Sequence, residues 1–155
     1  MTGGPSSLLG VACRFRLRLA DWRDVEQFGL KELASSKTAP TIIELADVSA
    51  STDRILQLLE AAITADGGTI PHSAAAAEVV AMQISGEIVA GEVEPGAGAR
   101  ALWRLARQVP AVEPQLRVFI GLASEWDDDI PNRIAYEADI VAAARELSAS
   151  STRTG

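Results

Sequence analysis

The side chains best suited to chemistry are one histidine and one cysteine, the single residues of these types in the chain. His72 lies between a proline and a serine, a setting that favours a helix start over the general base of a Ser-His-Asp site. Cys13 is close to Arg14 and Arg16, which can lower a thiol pKa, but no histidine lies near it in sequence. One Cys and one His also exclude a disulfide framework and a Cys/His zinc site. The sequence therefore predicts a non-enzymatic protein without metal or cofactor.

The densest acidic run in the chain is Glu125-Trp126-Asp127-Asp128-Asp129. One aspartate can cap the helix expected to follow and complement the positive end of its dipole, but the run holds more carboxylates than a cap needs. Carboxylates also bind hard divalent cations, yet the ligand alternation and central glycine of an EF-hand are absent. We therefore expect these residues to form an acidic patch that binds a basic protein.

The segment after Pro95 contains a glycine pair and an arginine stripe. Gly96 and Gly98 form a Gly-x-Gly, but no strand precedes it and no Gly-Lys-Ser/Thr follows it, so the glycines indicate a helix start. Arg100, Arg104 and Arg107 fall on one helix face. This stripe is a solvated face paired to neighbouring carboxylates, or else a contact for an anionic partner.

Glu137 interrupts the apolar side of the last predicted helix. Arg133 precedes it by four residues, so the two form an i,i+4 pair, or Glu137 is a partly buried carboxylate held by an arginine of another helix. The apolar arc around Glu137 is predicted to comprise Ile130, Ile134, Ile140, Val141 and Ala144.

These side chains belong to a chain with helical periodicity throughout, which predicts an all-α fold, a single compact bundle of about six to seven helices. The predicted helices begin near residues 21, 40, 52, 73, 95, 113 and 130, at prolines or capping residues. Residues 13–19 alternate apolar residues with arginine, which favours an extended arm or a frayed helix start. We expect a disordered tail over residues 1–12, one domain over 13–148, and a disordered tail over 149–155.

The helix predicted from Glu113 is apolar on two faces. Leu116, Phe119 and Trp126 lie on one face, and Val118 lies on another together with Leu122. A helix with two apolar faces is expected to be central and buried.

Composition excludes several classes of function. The chain has 155 residues and a net charge of −7, whereas a duplex nucleic-acid binder needs a clustered basic surface. No apolar run approaches the length of a membrane span, and the first ten residues lack the positive charge of a signal peptide. A cytoplasmic protein that binds neither nucleic acid nor membrane is therefore expected.

Residues 79–148 resemble a known family. The pattern consists of an aromatic and aspartate-rich helix at 116–129, a short acidic joint, and then a tyrosine, an acidic residue and a helix ending in leucine at 133–147. It is similar to the pattern of the small bacterial self-protective colicin-type immunity proteins, in particular those that guard against transfer-RNA-cleaving colicin. The resemblance implies a compact helical inhibitor whose carboxylates occupy the cationic site of a nuclease toxin. It points to Glu125, Asp127, Asp128, Asp129 and Asp139 as toxin-facing residues. Residues 1–72 and the arginine stripe have no place in that pattern.

Three hypotheses follow. The first is an acidic helical binding protein that uses Trp126 or Tyr136 as an anchor in a basic partner, such as a nuclease toxin. The second is a scaffold or regulatory subunit that acts through an apolar groove or by self-association. The third is a hydrolase, which needs at least two carboxylates converging in a pocket.

Overall fold

The computed structural model describes residues 7–34 and 52–151, and the described residues are α-helical with short joints and no strand. The predicted all-α class is confirmed, and the described residues form seven α-helices. The helix predicted from residue 40 lies outside the described residues. The helices are α1 (Leu8–Arg16), α2 (Trp22–Ala34), α3 (Thr52–Ala65), α4 (Ser73–Val89), α5 (Pro95–Gln108), α6 (Glu113–Asp128) and α7 (Arg133–Ser151), with 3-10 turns at Pro110–Val112 and Ile130–Asn132.

The described chain divides into two compact units, 7–76 and 77–151. The domain predicted over residues 13–148 therefore spans both units. None of the helices in the described ranges is both long enough and apolar enough to cross a membrane.

Helix α1 corrects the predicted N-terminal tail. The Ser7 hydroxyl accepts a hydrogen bond from the Gly10 backbone N–H at 3.0 Å, which caps the helix, and the α1 residues Val11 and Phe15 are buried. The prediction of a disordered tail is therefore wrong for residues 8–12. The prediction of an extended arm from residue 13 is wrong as far as Arg16, because these residues are helical. The helix forms because its apolar side packs into the core of the first unit, among residues of α2 and α3.

The second unit has its own core. Helix α6 packs against both α5 and α7, and α5 also contacts α7. The fully buried side chains at these contacts are Leu102, Leu105, Leu116, Phe119, Ala123, Ile140 and Ala144. Helix α5 also approaches α4 closely at Gly98, where a Cβ atom would lie 2.5 Å from Cγ1 of Ile88.

Helix α7 is longer than predicted. It continues to Ser151, whereas the sequence places its end near Leu147. The predicted C-terminal tail is therefore wrong for residues 149–151.

Candidate protein-binding surface

Trp126 lies in the last turn of α6 and packs inside the second unit. A Cβ atom on Gly96 of α5 would lie 2.5 Å from Cε2 of the Trp126 ring, so only a glycine allows this approach. The indole N–H donates to the Glu137 carboxylate on α7 at 3.2 Å. Trp126 thereby links α5, α6 and α7, and this predicted partner anchor is partly buried.

Two arginines lie over the same ring. The guanidinium carbon of Arg133 is 4.0 Å from the Trp126 ring centroid, and that of Arg100 is 5.0 Å from it, both within cation–π range. Arg133 Nε also donates to the Trp126 backbone carbonyl at 2.8 Å. The carboxylate of the half-buried Glu137 therefore accepts its hydrogen bond from the Trp126 indole N–H. Neither of the two predicted partners, Arg133 or an arginine of another helix, forms an ion pair with it in the described residues.

Asp127 is paired within the protein. Its two carboxylate oxygens accept from Nε and Nη2 of Arg100, the bidentate geometry that makes such pairs strong. The hydrogen bond from Arg100 lowers the pKa of Asp127, partial burial opposes it, and the charges of Arg100 and Arg133 lower it further. One residue of the arginine stripe is thus an internal partner of Asp127, whereas Arg104 and Arg107 are exposed.

Asp129 also has internal partners. Its Oδ2 accepts from the Asn132 side-chain amide at 2.9 Å and from the Tyr136 hydroxyl at 2.8 Å. These hydrogen bonds, led by that from Asn132, lower the pKa of Asp129. Asp129 therefore links the joint to α7 through side chains. It occupies the N-cap position of the 3-10 turn Ile130–Asn132 but makes no side-chain cap hydrogen bond there, so it does not cap the last helix in the way the sequence predicted for one aspartate of the run.

Three predicted carboxylates are exposed: Glu125, Asp128 and Asp139. We call them the acidic surface. The hydrogen bond to Asp129 raises the pKa of Tyr136, burial adds to this, and the charges of Asp129, Glu125 and Asp139 raise it further. No cation among the described residues pairs with any member of the acidic surface.

The apolar arc predicted for α7 is partly wrong. Ile140 and Ala144 are buried as expected, but Ile130 is 65% exposed and Ile134 is 83% exposed. Ile130 belongs to the 3-10 turn before α7, so it does not continue the α-helical phase.

A groove in the second unit was not predicted as a site. Its volume is about 770 Å³, and α4, α6 and α7 line it. Val118 of α6 is 52% exposed on its wall, so the prediction that both apolar faces of α6 are buried is wrong. The lining residues are Glu78, Ala81, Met82, Gln115, Val118, Phe119, Ala143, Glu146, Leu147 and Ser150. The second apolar face of α6, with its Val118, was the sequence signal that could have located this groove.

The candidate catalytic residues Cys13 and His72 differ in their exposure. Cys13 is buried, and burial raises the pKa of its thiol against a smaller opposite effect of Arg16. His72 is exposed. Within the described ranges, no group of three or more Asp, Glu, His or Cys residues could hold a metal ion.

Comparison of the chain with protein-family models, with curated proteins and with solved structures gives no match.

Proposed function

We propose that the protein is a non-enzymatic binding protein that takes a basic protein partner through the acidic surface. The observation that carries this proposal is the division of the acidic run into two sets. Asp127 and Asp129 are held by Arg100, Asn132 and Tyr136, whereas the acidic surface is exposed and without a cation among the described residues. Exposed charge of one sign steers a partner of the opposite sign and selects against others.

The sequence resemblance supports a narrower version of this proposal, in which the partner is a nuclease toxin and the protein acts in the cytoplasm as its immunity protein. Of the five carboxylates that the resemblance marks as toxin-facing, two are satisfied inside the protein. The docking role therefore falls on Glu125, Asp128 and Asp139.

The test uses three proteins as immobilised baits: the natural chain, the variant Glu125→Gln/Asp128→Asn/Asp139→Asn, and a control that removes the same charge elsewhere. The control variant is Asp66→Asn/Glu92→Gln/Glu94→Gln, which replaces three other exposed carboxylates. Baits are exposed to lysate of the source cell at about 50 and about 300 mM salt. A basic partner is expected on the natural and control baits, bound about ten-fold more weakly by the first variant and released by salt.

An acidic partner, or one held equally by all three baits at both salt concentrations, would contradict the proposal. The narrower version is tested by co-expression of the natural chain with the captured partner. An immunity protein must restore growth and intact transfer RNA in cells that produce the toxin.

The groove favours a second candidate function, that of a scaffold or regulatory subunit. Its apolar walls can receive an element of another protein. Under this function the acidic surface contributes little, so the three-charge variant would bind as the natural chain does.

A further inference from the structure

We infer that the groove and the acidic surface form one docking face, and that its occupant is an amphipathic helix of the partner with basic residues at both ends. This inference rests on the proposed function, because it names the element of the basic partner that docks.

Helix α7 joins the two features along one stripe. Asp139, Ala143, Glu146 and Ser150 are spaced by four, three and four residues, which places them on one face of a helix. The last three line the groove, and Asp139 belongs to the acidic surface. The groove therefore leads along α7 toward the acidic surface.

Helix α6 repeats this arrangement from the other side. Gln115 and Val118 line the groove, and Glu125 follows Val118 by seven residues, again on the same face. Helices α6 and α7 pack together. The Tyr136 hydroxyl, three residues before Asp139, donates to Asp129, four residues after Glu125, at 2.8 Å. The stripes of the two helices thus converge at one acidic end.

The groove itself also carries carboxylates, apart from the acidic surface. Glu78 of α4 and Glu146 of α7 line the groove, and both are exposed. Neither pairs with a cation among the described residues, and none of the described lining residues is basic. The lining also includes apolar side chains of all three helices, among them Val118, which is half exposed.

These properties specify the occupant. Along α7, the groove residue Ala143 lies between the carboxylates Asp139 and Glu146. Apolar lining with carboxylates on both sides complements a helix that carries apolar residues on one side and Lys or Arg at each end. The stripe from Asp139 to Ser150 comprises 12 residues of α7 and is about 16 Å long at the rise of an α-helix, which matches about three turns of a partner helix. A second copy of this chain is disfavoured, because its net charge of −7 would bring like charges together.

The test measures binding of a synthetic peptide of about 15 residues, with leucines on one helix face and lysines at both ends. A scrambled peptide of equal composition and a peptide with Glu in place of Lys are the probe controls. Fluorescence anisotropy gives affinities for the natural chain and for Val118→Ser, Glu146→Gln and the three-charge variant of the acidic surface. Ile134→Ser is the matched control, because Ile134 is also exposed and apolar but lies outside the groove.

The amphipathic basic peptide should bind at least ten-fold more tightly than either control peptide. Val118→Ser should weaken binding about five-fold, Glu146→Gln about two-fold, and Ile134→Ser should leave it unchanged. Circular dichroism of each variant verifies that its helices are intact.

Each proposal can fail separately. If only the three-charge variant loses affinity, the groove is not the docking site and the further inference is overturned, while the proposed function stands. If only the groove variants lose affinity, the acidic surface plays no part and the proposed function is overturned together with the acidic end of the inferred face. Self-association that Val118→Ser abolishes would assign the groove to a second copy and overturn the inference.

Discussion

At the scale of single residues, the joint between α6 and α7 depends on a close contact between Gly96 and Trp126. The sequence places Trp126 on the inward face of α6 and Gly96 at a helix start, and both positions are correct. That the two residues meet was not predictable, because they are 30 positions apart in sequence. Their contact depends on how α5 and α6 pack, which helical periodicity does not specify.

The Gly96 contact gives a stability prediction. The variant Gly96→Ala should be less stable by about 1–3 kcal/mol, because its Cβ would overlap the Trp126 ring. Gly121→Ala is the matched control, since Gly121 of α6 has open space beside it, and alanine should raise helix stability there by about 0.5–1 kcal/mol. Urea unfolding followed by circular dichroism measures both. Equal stability of the two variants would contradict the close packing.

At the scale of elements, the sequence predicts helices best where proline or glycine marks their ends. Pro95 is the first residue of α5. Gly91 lies in the turn after α4 and has a φ of 75°, a conformation that favours glycine. Helix α1 was missed because its second half alternates apolar residues with arginine, as a strand does. The cap at Ser7 and the burial of Val11 stabilise the helix. The burial of Val11 depends on tertiary packing, which the local sequence pattern does not specify.

The α6–α7 joint predicts a loss of stability in acid. The pKa values of Asp127 and Asp129 are lowered in the folded protein, so their contribution is complete above the ordinary carboxyl pKa of about 4 and is lost as pH falls through the lowered values. The melting temperature of the natural chain should therefore fall more steeply below pH 4 than that of Asp127→Asn/Asp129→Asn. Thermal melts from about pH 6 to about pH 2 measure this.

Asp128→Asn is the control for the acid melts, because Asp128 is exposed and should retain the steep decline of the natural chain. A double variant whose melting temperature declines as steeply as that of the natural chain would show that these two carboxylates do not stabilise the joint.

At the scale of the whole molecule, the net charge of −7 shows that acidic side chains outnumber basic ones but does not show which of them are exposed and unpaired. The sequence treats Glu125, Asp127, Asp128 and Asp129 as equivalent. The fold separates them, because Arg100 of α5 reaches Asp127, and Asn132 and Tyr136 reach Asp129. Such pairing depends on which helices are neighbours, and sequence spacing alone does not specify this.

The division into two units predicts that the second unit folds by itself. A chain of residues 70–155 contains α4 to α7 and the core around Leu102 and Phe119, and its length is sufficient for an independent domain. It should melt cooperatively by circular dichroism and bind the amphipathic basic peptide as the full chain does. In this shorter chain, Leu102→Ala should lower stability by about 2–5 kcal/mol. A broad, non-cooperative melt of the shorter chain would contradict the prediction.

The position of Trp126 has an optical consequence. Its indole is hydrogen-bonded to Glu137 and lies beneath the guanidinium groups of Arg100 and Arg133, and indole emission responds to both hydrogen bonding and nearby charge. The protein thus carries an intrinsic fluorophore at the joint beside the acidic surface. With Trp22 and Trp103 replaced by Phe, the remaining tryptophan emission reports the state of the joint without an added dye.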